Sequence, residues 1–321
     1  MSGLYYDPLV LEISAEDEGR MVRTVLEKRL GVSRKLMSRL KLTEQGLTLN
    51  GKRVFTNERV KQGDCLAVRM EQEQSDDILP EPMPLDIVYE DRELLIVNKL
   101  PGIIVHPTHG HYTGTLANGV VHHWLERGET VRFRPVHRLD EETSGLVAIA
   151  KNPYIHQQLS EQMQAGEIDK RYRAFVYKSP DPAYGTVDAP IDRNPEEPHL
   201  RVVIPGGYAS VTHYETEAVY RSGGAAKIKL KLETGRTHQI RVHMKHIGCP
   251  LIGDKLYGYA SSSRSSGGSA ELEAAVERQA LHAATLGFTH PMTHKYMEFE
   301  AALPQDLQQL EKLLLAGPRV K

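Results

Sequence analysis

The sequence predicts an α+β fold with a mixed, mostly antiparallel sheet, preceded by a small basic α/β unit. Three observations carry that expectation. Strand-like and helix-like apolar patterns intermix along the chain without regular βαβ alternation, which argues against a parallel sheet. Thirteen Lys/Arg against four acids give residues 20–70 a charge of +9, within a chain whose net charge is −2. The stretch "EQEQSDDILPE" (71–81) then brings five acids, no base and a proline, the composition of a connector. The expected organisation is a basic unit with an N-terminal extension over 1–75, an acidic linker at 76–83 and a large domain over 84–321.

The basic unit opens with "MVRTVLEKRLGVSRKLMSRLK", where Val22, Val25, Leu26, Leu30, Leu36, Met37 and Leu40 fall at helical spacing and Gly31 interrupts them. Two short amphipathic helices follow, the second capped by Ser33. "GLTLNGKRV" reads as strand, Asn-Gly turn, strand, and "VKQGDCLAVRM" as a further strand. Confinement of positive charge to one small unit points to a polyanion as its partner. The candidate contacts are Arg34, Lys35, Arg39, Lys41, Lys52 and Arg53.

In the large domain, "LDIVYEDRELLIVNK" predicts a hairpin and "TLANGVVHHWLERG" a helix burying Leu116, Val120, Val121, Trp124 and Leu125. "PVHRLDEETSGLVAIAKN" (135–152) leads a crowded polar loop into the apolar strand Leu146–Ala150. "NPYIHQQLSEQMQAG" has helix punctuation at both ends, Asn152 and Pro153 before it and Gly166 after. "IDKRYRAFVY" and "KIKLKLETG" alternate as strands, the latter with Ile228, Leu230 and Leu232 inward. "THQIRVHMKHIG" predicts a short helix capped by Thr237 and closed by Gly248. The Ser/Gly-rich stretch at 259–277 reads as a mobile loop, and "RQALHAATLGFTHP" adds a last apolar strand.

Several function classes lose support. No apolar run nears the roughly 18–20 residues of a membrane span, and the N-terminus has no leader pattern. Two scattered cysteines, Cys65 and Cys249, form no disulfide framework. These features point to a cytoplasmic protein with no membrane contact. No Gly-rich phosphate loop occurs, which weakens nucleotide hydrolysis and dinucleotide redox. His106, His109, His111, His238, His243 and His246 have no acid or cysteine at ligand spacing, so no metal is expected. Adjacent Glu141 and Glu142 do not resemble a glycosidase pair, whose members come from separated segments.

Asp140 stands apart. It lies on a loop at the mouth of a core strand, two residues after Arg138, where partial desolvation with cationic partners keeps a carboxylate ionised and nucleophilic. On this segment alone, an acid bracing a turn is an equal alternative. Four other segments shift the balance: "TGRTHQIRVHMKHIGCPLIGDKLYG" with Arg236 and Arg241, "KRYRAF" with Tyr172, "QALHA", and "VYEDRELLIVNKLPGIIVHP".

Taken together, His137-Arg138-Leu139-Asp140 through Thr143-Ser144-Gly145-Leu146 resembles the catalytic motif of the RluA-type pseudouridine synthases. "GRTHQIRVH", "GDKLYG", "KRYRAF" and "QALHA" are similar to the other signatures of that family, in the family's order. Leu100-Pro101 stands where the first motif has Pro followed by a small residue. The basic unit resembles the alpha-L RNA-binding domain of a small-subunit ribosomal protein. The resemblance implies a sheet with a central cleft and isomerisation of specific uridines in structured RNA, with large-subunit ribosomal RNA as the expected class and transfer RNA as an alternative. It implies Asp140 as nucleophile on a flipped-out base, Arg241 as its ion-pair partner, and Tyr172 stacking on the base with its hydroxyl as a candidate proton acceptor. Arg138, Arg236 and His238 join the expected RNA contacts. No cofactor is implied, and the chain is expected to act as a monomer. A catalytically inactive ribosome-assembly factor is the rival reading.

Overall fold

The computed structural model describes residues 5–220, 224–258, 272 and 274–317. Its chain divides into two compact units: residues 1–96, 106–137 and 148–161 in the first, and 97–105, 138–147 and 162–321 in the second. In chain order the elements begin with β1 (Leu9–Glu12), α1 (Val22–Arg29), α2 (Arg34–Leu40), β2 (Leu47–Leu49), β3 (Lys52–Arg53) and β4 (Cys65–Val68). They continue with β5 (Ile87–Glu90), β6 (Leu94–Lys99), α3 (Leu116–Glu126), β7 (Ser144–Ala150), α4 (Pro153–Gln164), β8 (Asp169–Tyr177) and β9 (Tyr184–Asp188). The last are β10 (Ile191–Arg193), β11 (Arg201–Val203), β12 (Val211–Tyr220), β13 (Ala225–Leu232), α5 (Gln239–His246), β14 (Leu281–Thr289), β15 (Tyr296–Glu300) and α6 (Gln305–Leu315).

In the first unit a four-stranded sheet runs β1-β4-β2-β3. Asn50 and Gly51, at φ 52° and 77°, make the tight β2–β3 turn that an Asn-Gly pair favours. The Ser33 hydroxyl accepts from the Leu36 amide and caps α2, while Leu36, Met37 and Leu40 bury their side chains. The turn between α1 and α2 rests on α4: Tyr154 donates to the Leu30 carbonyl, and Gln157 and Gln158 both donate to the Gly31 carbonyl.

Two expectations for this unit change. The stretch 76–83 is bound, not a free linker. Ile78 is buried, Asn118 donates to the Leu79 carbonyl and the Glu81 amide donates to the Asn118 carbonyl. Its charge pattern resembled a connector because the acids point outward from a segment whose backbone is satisfied by α3. Leu125 is 54% exposed. It follows Trp124 by one residue, about 100° around the helix, and so leaves the face on which Leu116, Val120, Val121 and Trp124 are buried.

A nine-stranded sheet has the order β5-β6-β7-β14-β8-β13-β12-β9, with β15 on β14. Its recorded registers are antiparallel except β7 with β14, which is parallel. This is the α+β, mostly antiparallel architecture that the alternation pattern predicts. Every residue of β7 is buried, which explains its reading as an unbroken apolar run. At Gly145, φ is 117° and a Cβ would lie 2.2 Å from the Ala283 carbonyl oxygen. Any side chain there would push β14 away from the start of β7. In the second unit Leu307, Leu310 and Leu314 of α6 pack with Phe175, Tyr177 and Tyr220.

The 259–277 loop expectation falls mostly outside the described residues. Its C-terminal end departs from it, because Leu272 and Val276 are buried in that same cluster.

Candidate active site

Asp140, Tyr172, His238 and Arg241 come together in the second unit, at the start of β7, on β8 and at the N-terminus of α5. The loop carrying Asp140 is closed by the Thr143 amide donating to the Asp140 carbonyl. Two buried cations grip its backbone. Lys99, 1% exposed, donates from Nζ to the carbonyls of Leu100, Ile103 and Glu141, each at 2.8 Å. Arg278 donates to the Glu142 carbonyl at 2.9 Å and to the Ser144 hydroxyl at 3.2 Å, and is itself held by Asp306. The Gly102 amide also donates to the Glu141 carbonyl, so the Leu100-Pro101-Gly102 turn, where this chain departs from the family pattern, still reaches the loop. Burial, joined by the charge of Arg278, pushes Lys99 down to about 7, against the pull of nearby acids.

Arg241 is the hub. Its Nε and Nη2 donate to the two oxygens of Asp254 at 2.8 Å each, and Nη1 donates to Asp140 Oδ2 at 3.2 Å. Asp254 is held in turn by the amides of Leu256 and Tyr257, and the Tyr257 ring lies 4.9 Å beneath the guanidinium. Burial alone would lower Arg241, but the bonds to Asp254 and the charge of Asp140 raise it. The fork-shaped, two-bond contact belongs to Asp254, whereas Asp140 shares a single longer bond. Asp140 is therefore oriented by Arg241 without being saturated by it.

His238 sits at φ 58° immediately before α5. Thr237 does not cap the helix as expected: the Gln239 side chain instead accepts from the Arg236 amide and the Thr234 hydroxyl, and that turn displaces Thr237. The Tyr172 ring is buried. Burial, and after it the charge of Asp140, push its hydroxyl well up. The phenol therefore keeps its proton at neutral pH.

None of the remaining expected contacts is bonded to the Asp140 carboxylate among the described residues. Arg138 is exposed on the catalytic loop. Arg236 is exposed, with its guanidinium 5.5 Å from the Tyr208 ring centre. Arg34, Lys35, Arg39, Lys41, Lys52 and Arg53 are exposed in the first unit, where Arg39 pairs with Glu73 and Arg53 donates to the Lys41 carbonyl. Sequence reasoning missed Lys99, Asp254, Tyr257 and Arg278. Lys99, Asp254 and Tyr257 stand inside motifs quoted for the resemblance and Arg278 directly precedes one, but a buried Lys or Asp is indistinguishable from a surface one until its partners are known. Among the described residues no group of acids, histidines or cysteines could hold a metal ion, and no helix is long and apolar enough to cross a membrane.

Comparison with known proteins gives consistent matches. A family model described as RNA pseudouridylate synthase matches residues 93–246. The chain is 40% identical over 284 residues to the uncharacterized RNA pseudouridine synthase YjbO of Bacillus subtilis (strain 168), covering 88% of this chain and 95% of that one. It is 39% identical over 286 residues to the ribosomal large subunit pseudouridine synthase D of Escherichia coli (strain K12), covering 87% and 86%. Among solved structures, human RNA pseudouridylate synthase domain containing 1 superposes with a TM-score of 0.55 at 25% identity, over 75% of this chain and all of that one.

Proposed function

The chain belongs to the RNA pseudouridine synthases, and from that premise we propose that it isomerises uridines of large-subunit ribosomal RNA with Asp140 as the nucleophile. The ribosomal substrate is carried over from the Escherichia coli relative, whose name specifies the large subunit. The observation that carries the catalytic assignment is the Asp140–Arg241–Asp254 chain of charge-assisted bonds. It gives a half-buried carboxylate a cationic partner without saturating it.

Asp140 attacks either the ribose C1′ or the pyrimidine ring. The N1–C1′ bond breaks, the base turns, C5 bonds to C1′, and the C5 proton is lost as a proton is gained at N1. Substrate and product have the same composition, and no oxidant enters. Tyr172 supplies the stacking surface and a neutral hydroxyl. The target nucleotide must leave its stack to enter, at a cost of about a few kcal/mol. Phosphate contacts from Arg34, Lys35, Arg39, Lys41, Lys52, Arg53 and Arg236 offset this, since they add affinity without reading sequence. Arg138 occupies the vacated stack or grips a phosphate.

Single-turnover release of tritium from C5-labelled uridine in transcribed ribosomal RNA, with enzyme in excess, tests the nucleophile. Asp140→Asn keeps shape and is expected to lose turnover by about 10⁴-fold or more, while RNA affinity stays within a few fold. Tritium release near the wild-type rate would return Asp140 to the role of a turn brace. Pseudouridine mapping of total RNA from cells with and without the protein tests the substrate.

A further inference from the structure

One side chain with no assigned chemistry, His238, faces the carboxylate of Asp140 from the side of Tyr257. His238 Nδ1 lies 2.8 Å from the Tyr257 hydroxyl oxygen, and that same oxygen accepts the Arg201 amide at 2.8 Å. With one lone pair of the phenol engaged by Arg201, its proton is free to go to His238 Nδ1, which accepts in that arrangement. Burial lowers the His238 pKa, so the ring is neutral at neutral pH and carries a single N–H. That N–H is on Nε2, and Nε2 faces Asp140 Oδ2 at 3.9 Å.

The backbone agrees with a demanding placement. A non-glycine residue at φ 58° is uncommon and strained. Held there, the imidazole comes within reach of Asp140 as α5 starts. Arg241 Nη1 addresses the same oxygen, Oδ2, at 3.2 Å. Among the described residues no side chain bonds Oδ1.

We propose that His238 is a positioning residue, locked by Tyr257 as the Nε2–H tautomer, which together with Arg241 anchors Oδ2 of Asp140 and leaves Oδ1 as the attacking oxygen. This rests on the assignment of Asp140 as nucleophile. At 3.9 Å the contact is longer than a hydrogen bond, and it shortens when RNA fills the pocket and excludes water, as catalytic bonds do on forming the reactive complex. Fixing one oxygen removes rotation of the carboxylate about its Cβ–Cγ bond, a gain in orientation and not in charge. His238 thus acts on the rate of attack and adds little to RNA affinity.

Nitrogen-15 NMR of the full chain with labelled histidine reads the tautomer directly. The wild type is expected to show His238 protonated at Nε2 and bare at Nδ1, and Tyr257→Phe to shift it toward a mixture. In single turnover at saturating enzyme, His238→Ala should slow tritium release about 10- to 100-fold with RNA affinity within twofold, and His238→Gln, which restores an N–H donor, should recover part of the loss. His238→Gly relieves the backbone strain, so an equal loss in that variant excludes a backbone explanation. A wild-type rate in His238→Ala overturns the proposal, as does a loss that saturating enzyme fully repairs, which would make His238 an RNA contact. Protonation at Nδ1 in the wild type also overturns it. Full activity in Asp140→Asn instead removes the underlying nucleophile assignment while leaving the tautomer measurement intact.

Discussion

Arg241 and Arg34 carry the same guanidinium and work by opposite physics. The Arg241 side chain is 6% exposed and spends its donors on two carboxylates. The Arg34 side chain is 94% exposed, with Glu27 at 3.8 Å as its ion-pair partner. Around Arg241 the surroundings are rigid: Asp254 is held by two amides, and Lys99 and Arg278 fix the neighbouring loop through its carbonyls. Around Arg34 the cations project from α2 and the β2–β3 hairpin into solvent. The difference separates the two demands of this chemistry. Bond exchange at one carbon needs a carboxylate fixed to within a fraction of an ångström, whereas holding a polyanion needs many adaptable charges, each worth little.

The sharpest way to break the comparison is to remove the support behind Arg241. Asp254→Asn keeps an oxygen for the Leu256 and Tyr257 amides but takes away the charge opposite a buried guanidinium. Breaking one side of such a pair costs about 3–5 kcal/mol, so the melting temperature should fall by several degrees. Arg241 would also turn its full charge to Asp140, tying up the proposed nucleophile. Turnover should drop about 100-fold with RNA affinity little changed. A variant that loses stability but keeps its single-turnover rate would mean that Asp254 serves the fold alone.

Lys99 sharpens the point from the other side of the loop. Lys99→Met fills the space but takes the Lys99 donor from the Leu100 and Ile103 carbonyls and leaves the Glu141 carbonyl with the Gly102 amide alone. At about 1–3 kcal/mol for each unsatisfied group, part of it recovered by relaxation, a loss of roughly 3 kcal/mol is expected. A pH series identifies the charge. Burial holds Lys99 near 7 in the native state against an ordinary value of 10.5, so between those values the unfolded chain binds more protons than the folded one. The contribution to stability therefore rises with pH across that window, and Lys99→Met should flatten the rise. An unchanged slope in the variant would show that another group sets it.

These two tests also mark where the sequence was legible. The strands and helices around the site follow from alternation and from caps such as Ser33 and Asn152, because those signals are local. Asp140, Tyr172 and Arg241 were accessible because each sits in a motif whose neighbours announce it. Asp254 and Lys99 were not, since their importance comes from partners 13 and 42 positions away and from burial that no single-residue signal encodes. The bound stretch at 76–83 was misread for the same reason: acidic residues and a proline describe its outward face, while its backbone partners lie on α3. His238 was read as one more basic residue near RNA, and only the Tyr257 hydroxyl gives its ring a direction.

The smallest expected effects lie in the basic unit, where the comparison predicts additivity. Arg34→Ala, Lys35→Ala and Lys52→Ala each remove one exposed cation and no buried bond, so melting temperature should hold to within about 0.5 kcal/mol of stability. If each cation contacts a phosphate, every substitution should lower the slope of log affinity against log salt by about 0.7–0.9. The triple variant should lose about the sum of the three, as sites without shared partners do. Single-turnover rate at saturating enzyme should not change, because bound RNA meets the same carboxylate. A change in that rate, or a triple variant far from additive, would mean that the basic face orders the active site and does more than retain RNA. An unchanged salt slope would remove α2 and the hairpin from the RNA path altogether.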